Sequence, residues 1–244
     1  MQKAARLIIE RNTMRKKKEF ISKTVSTWND FVNLLATLEH KRAWIFRGQA
    51  EDWPLKTSLE RCIEKWGIPL RKSLEIENQL IREFRRQYDK KDLQYIKGDT
   101  LYCLSVMQHH GAPTRLLDWT YSPFVAAQNA IGDGSENGVI WCLSSEWCNK
   151  SAKEIAGELK IAKRNADETR NDASFLPLFM SPRRKKFVFN ENPFSLSERL
   201  IIQKGLFLCQ GDVNVSFENN LKNMPFWYSE KNIFVTTQRN LKFQ

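Results

Sequence analysis

His109-His110-Gly111-Ala112-Pro113-Thr114-Arg115-Leu116-Leu117-Asp118-Trp119-Thr120, continued by Tyr121-Ser122-Pro123, changes secondary structure twice within one short run. Upstream, Asp99 is a helix N-cap residue type and Leu101, Leu104 and Met107 follow at helical spacing, so a helix runs from about Asp99 to Gly111 with His109 and His110 in its last turn. Pro113 cannot continue that helix. Thr114 to Thr120 then alternates as a strand does, with Arg115, Leu117 and Trp119 on one face and Leu116, Asp118 and Thr120 on the other. Ser122-Pro123 offers a cap and a first-turn proline for a second helix, Phe124 through Ile131 to Gly132. Asp118 therefore lies on a strand that runs into a helix N-terminus, and the run reads as the wall of a site.

Working outward, Thr27 and Asp30 form a capping-box pattern ahead of Trp28, Phe31, Leu34, Leu35 and Leu38 at helical spacing. Ala43 to Phe46 is short, apolar and aromatic, which favours a strand that delivers Arg47-Gly48 at its exit. After a loop at Trp53-Pro54-Leu55, residues Leu74, Glu77, Leu80, Ile81 and Phe84 describe an amphipathic helix whose outer face is basic at Arg82, Arg85 and Arg86. Gly132 to Gly138 is a turn, Val139 to Leu143 a buried strand, and Ser151 to Arg170 a charged helix. Later strands are predicted at Phe187–Phe189, Leu206–Gln210 and Ile233–Thr237, and a short helix at Ser197–Lys204. No internal repeat is visible. The pattern predicts one α+β domain over residues 24–244, a mixed β-sheet core with surrounding helices, preceded by a basic N-terminal extension over residues 1–23.

The formal charge of +11 over 244 residues is uneven. Arg15, Lys16, Lys17 and Lys18 lie between Arg11 and Lys23, and Arg183 to Lys186 form a second block, so RNA or another polyanion is an expected partner beside the plainer reading of solvated faces. The five cysteines, Cys62, Cys103, Cys142, Cys148 and Cys209, lack C-x-x-C spacing and read as reduced core residues, with no metal site. No apolar stretch approaches the roughly 18 residues that span a bilayer, and Leu7-Ile8-Ile9 is too short an apolar core for export. A cytoplasmic protein with no membrane contact is expected.

Arg47 followed by Gly48 presents a guanidinium where the backbone can approach a ligand, suited to a phosphate or diphosphate; the alternative is a structural ion pair. His109 and His110 stand at a helix C-terminus and project about 100° apart, so that one contacts a ligand while the other packs, or both cap free carbonyls. Asp118 is costly to bury unless paired with an arginine or hydrogen-bonded. It either caps the helix near Ser122 or orients a substrate hydroxyl or a histidine. Arg199 and Gln203, four apart, form a polar pair ahead of Gly205 and the strand that follows.

Three segments carry a family resemblance: Phe46-Arg47-Gly48, the run Gln108 to Thr120, and Arg199 to Phe207 with its Arg-x-x-x-Gln-x-Gly-x-Phe pattern. Together they resemble the FRG domain, over roughly residues 26 to 212. The motif order is also similar to the ADP-ribosyltransferase superfamily, which implies a split sheet and NAD as substrate. On that resemblance Arg47 and Gly48, with His109, Thr120 and Arg199, bind the NAD. Asp118, Gln203 and His110 serve the transfer, with Glu198 as the other candidate for the position given to Gln203. The Ser-Thr-Ser triplet and the Glu-x-Glu pair of that superfamily have no counterpart here. The resemblance implies an intracellular toxin or phage-defence effector with RNA as a candidate acceptor and an antitoxin or regulatory protein as partner. A metal-independent RNA-cleaving enzyme using His109 or His110, and a non-catalytic nucleotide or phosphate recognition module, are the other two readings.

Overall fold

Side-chain caps start five of the helices. In the computed structural model, which describes residues 21–38, 44–88, 93–132, 138–158, 175–181, 184–191, 202–225 and 233–238, Thr27 Oγ1 accepts from Asp30 N at 3.1 Å and Asp30 Oδ2 accepts from Thr27 N at 3.0 Å. That capping box opens α1 (Trp28–Ala36). Thr57 caps α2 (Ser58–Lys65), which precedes α3 (Ser73–Gln87) and α4 (Leu93–Gly98). Asp99 caps α5 (Thr100–His109), accepting from Tyr102 N at 2.9 Å, and Gly111 leaves that helix with φ +80°, the left-handed conformation glycine tolerates. Ser122 caps α6 (Pro123–Ile131).

The remaining elements are β1 (Ile21–Val25), β2 (Trp44–Gln49), β3 (Leu116–Thr120), β4 (Val139–Ser144), α7 (Ser145–Glu158), β5 (Val188–Glu191), β6 (Gly205–Gln210), α8 (Phe217–Lys222) and β7 (Ile233–Gln238). The fold is mixed α+β, as the sequence predicts. Several boundaries differ. Strand β2 continues through Gly48 and Gln49, which pair with Ile140 and Val139 of β4, so Arg47 lies within the strand and not at its exit. Helix α7 follows β4 directly and starts before Ser151; residues 159–174, the rest of that predicted helix, lie outside the described set. Strand β1 begins at Ile21, inside the segment read as an N-terminal extension.

The strands form one sheet in the order β1-β7-β4-β2-β3-β6-β5. Among the described residues only the β1–β7 pair is parallel. The β2–β4 ladder runs from Trp44↔Ser144 to Gln49↔Val139 and the β3–β6 ladder from Leu116↔Cys209 to Thr120↔Gly205. Between them β2 and β3 meet at a single pair, Phe46↔Thr120. The sheet is therefore two halves joined at one point.

One core packs Ile45, Leu117, Trp119 and Trp141 against Leu104 and Met107 of α5 and Trp147 of α7. A second packs Trp44, Phe46, Ile140 and Cys142 against Phe31 of α1 and Ala126, Ala127 and Ala130 of α6. Helix α6 lies directly on the β2 backbone, because a β-carbon on Gly48 would collide with the Ala126 carbonyl and come within 2.7 Å of Ala130 N. The close approach that Gly48 permits is thus to a helix.

Arg115, at the entry to β3, is fully buried against the equally buried Glu77 of α3. Its Nε donates to both Glu77 carboxylate oxygens, at 3.0 and 2.9 Å, its Nη2 donates to Glu77 Oε2 as well, and its Nη1 donates to the Phe179 carbonyl at 2.7 Å. Burial works against the Arg115 charge, but Glu77 more than offsets it and holds the guanidinium above its ordinary pKa. The acid that pairs with a buried arginine is Glu77 and not Asp118.

Candidate functional site

Had the antiparallel register at Phe46↔Thr120 continued, Gly48 would face Asp118. Instead the Arg47 side chain crosses the gap. Its Nη1 donates to the Asp118 carbonyl oxygen at 2.8 Å and its Nε to Gln49 Oε1 at 3.3 Å, two residues along the same strand face. Gln49 is buried and passes the chain on, donating from Nε2 to the Trp53 carbonyl at 2.7 Å. Burial pushes the Arg47 guanidinium down to about 10, Asp118 opposes that change, and Arg61 of α2 adds to it. Arg47 stays cationic at neutral pH.

Asp118 itself is exposed at this point of β3. Its Oδ1 accepts from Gln108 Nε2 at 2.8 Å, and Gln108 Oε1 accepts in turn from the Thr114 hydroxyl. Thr114 is buried and its N–H donates to Ser58 Oγ at 3.0 Å, so the end of α5, the Pro113 linker and the start of α2 brace the carboxylate together. Asp118 does not cap α6; Ser122 does, accepting from Val125 N at 3.4 Å. The side chain hydrogen-bonded to the Asp118 carboxylate is thus Gln108, where the sequence offered Asp118 a histidine to orient.

Thr120 ties the third segment to the same strand. Its hydroxyl donates to the Gln203 carbonyl at 2.6 Å and accepts from Ser122 N at 2.9 Å, while Tyr121 N donates to the Lys204 carbonyl at 3.0 Å. Gln203, half-buried, is therefore brought to the closed end of the gap through its backbone. Arg199 and Glu198 lie outside the described residues.

His109 and His110 are exposed at the end of α5. The His110 ring lies 6.2 Å from Tyr88 and 6.4 Å from Phe84, turned toward α3, and 5.4 Å from the ring of His109. Their link to Asp118 runs through the adjacent Gln108. The structure brings Arg47, Asp118, Thr120 and Gln203 together along β3, with Gln49, Arg61 and Gln108 beside them, whereas Gly48 packs against α6. Gln49 carried a period-two signal with Arg47. Arg61 sits on a helix that the sequence reading missed.

An α+β chain whose sheet opens at one place, with an arginine from one half and an acid from the other meeting there, defines a site between two strands close in sequence order. Residues 42–137 match the FRG domain family, and the chain carries an FRG domain over that span. The match contains Arg47-Gly48 and the whole run Gln108 to Thr120, and it ends short of the Arg199 to Phe207 segment. No curated protein and no solved structure matches the chain. Among the described residues, no helix is long and apolar enough to cross a membrane.

Proposed function

We propose that the gap between β2 and β3 binds NAD and that the protein is an ADP-ribosyltransferase. The observation that carries this reading is the meeting of the Arg47 guanidinium with the exposed Asp118 at the gap. Two guanidinium groups, Arg47 and Arg61, suit a diphosphate, which accepts paired charge-assisted bonds. Exposed rings flank the gap: Trp53 is 52% exposed and tied by its carbonyl to Gln49, and Tyr121 is 40% exposed beside Thr120. Such flat faces suit a nucleobase or the nicotinamide ring.

In the transfer, the bond between the anomeric carbon of the ribose and the nicotinamide nitrogen breaks, and its electron pair leaves with nicotinamide, neutralising the pyridinium. Positive charge then develops on the sugar. The Asp118 carboxylate, with one oxygen held by Gln108, stabilises that charge without having to reorient. The acceptor's nucleophilic atom forms the new bond to the anomeric carbon and gives up its proton to water. Gln203, at the closed end, orients the ribose.

The test is incubation of the purified chain with NAD labelled in its adenylate phosphate, together with cellular RNA or protein. Release of nicotinamide with transfer of label to an acceptor supports the reading. Saturable NAD binding without nicotinamide release would replace it with a nucleotide-recognition module, and no binding at all would overturn it.

A further inference from the structure

Away from this gap, helices α3 and α4 border a cleft of about 640 Å³ whose lining, among the described residues, includes Arg82, Arg85, Arg86, Tyr88 and Lys97 and no acidic side chain. Arg82 and Arg86 share the carboxylate of Glu83, at 3.2 and 3.1 Å, and their side chains remain 69% and 71% exposed. Exposed pairs of this kind hold charge weakly, so one acid leaves the cleft strongly cationic. Arg85 is fixed at its floor, donating from Nε to the Ile96 carbonyl and from Nη2 to Thr100 Oγ1, both at 2.9 Å. Its charge is therefore placed without further loss of side-chain freedom. Tyr88 is part of the lining and stands in an aromatic group, 5.1 Å from the Phe84 ring and 6.2 Å from that of His110.

We propose that this cleft is a binding track for a single-stranded nucleic acid. Arg82 and Arg86 lie one helical turn apart, about 6 Å along the axis, comparable to the separation of successive phosphates in an extended strand. A row of cations beside an aromatic ring that can stack on a base is the combination that holds a strand by its backbone and its base faces at once. An acidic peptide would use the cations and leave the rings idle. The proposal does not depend on NAD chemistry, since none of these side chains belongs to the gap between β2 and β3.

The experiment is fluorescence anisotropy of the full chain with a short labelled oligoribonucleotide across a salt series. Binding should weaken as salt rises, with each phosphate contact contributing about 0.7 to the slope of log affinity against log salt. Arg82→Ala combined with Arg86→Ala should lower that slope by about 1.4. Both residues are exposed, so the variant stays folded and the test stays readable. Tyr88→Leu should weaken binding about tenfold with the slope unchanged. Parental binding and slope in both variants would overturn the proposal. So would displacement of the oligonucleotide by a poly-glutamate peptide as readily as by unlabelled RNA, which would assign the cleft to an acidic protein.

Discussion

Arg47 Nη1 donates to the backbone carbonyl of Asp118 at 2.8 Å, and this bond fills the interval in which β2 and β3 have stopped pairing. The guanidinium is positioned by the Asp118 main chain, whereas the Asp118 carboxylate is positioned separately, by Gln108. The two charged groups are thus held independently, and substitutions can address one at a time.

Arg47→Lys keeps the charge but loses the planar fork that reaches Asp118 and Gln49 together. Nicotinamide release should fall about 100-fold or more, with a loss of about 1.5–3 kcal/mol in stability from the broken charge-assisted bond. Turnover and apparent NAD affinity equal to the parent would remove Arg47 from the anchoring role.

Asp118→Asn should leave the fold intact, within about 0.5 kcal/mol, because the side chain is exposed and an amide oxygen still accepts from Gln108. Gln203→Ala should also stay folded, since its backbone carbonyl makes the bond to Thr120. Each should lose most NAD consumption, and the pair together little more, as residues acting in one unit are not additive. Full activity in either single variant would exclude that residue from the site.

Glu77→Gln gives the opposite result. Neutralising this carboxylate leaves Arg115 buried without a counter-charge, at a cost of about 3–5 kcal/mol. Denaturant melts of the two acid variants side by side separate the structural acid from the functional one. Equal stability of Glu77→Gln and the parent would contradict the buried pair.

Gly48→Ala places a methyl group against the α6 backbone at Ala126 and Ala130, where no side chain can move aside. A loss of about 1–3 kcal/mol or more is expected in urea melts. An unaffected midpoint would mean that α6 does not lie on β2.

The pH dependence of stability has one identifiable contributor in Glu60. Burial raises its pKa above the ordinary carboxyl value, partly countered by the hydrogen bond from Phe217 N at 3.1 Å. The native state then binds this proton more tightly than the unfolded chain. The resulting stabilisation is complete below the unfolded value of about 4.3 and is lost as pH rises through the native one. The stability of the parent relative to Glu60→Gln should therefore fall as pH rises through that range. A constant difference between parent and variant across that range would refute the shift.

The run from Asp99 to Gly132 was legible because every boundary in it carries its own chemistry: a capping Asp99, a left-handed Gly111, Pro113, and a capping Ser122. Strand β1 was not, since it pairs with β7, more than 200 residues further along the chain. Helix α2 offers just Leu59 and Ile63 to a core, too few repeats for a helical period to show. Arg47 read as a strand exit because the apolar run stops at Phe46, and nothing local reveals that β4 carries pairing on to Gln49. Asp118 is exposed for a related reason. Apolar neighbours on both faces imply a covered strand, but the sheet opens beside this residue. Gln108 carries a neutral amide, which gives no signal in charge or composition.

The opening of the sheet also bears on how the FRG domain is used as a unit. Residues 42–137 supply β2 and β3, which barely pair with each other, while the strands that cover their other edges, β4 and β6, both lie beyond residue 137. A fragment cut to those limits would carry two bare strand edges, each a template for association with another chain. The segment is accordingly a signature embedded in a larger fold. A fusion or truncation built on it must include the chain at least through Gln210, the end of β6, to close those edges.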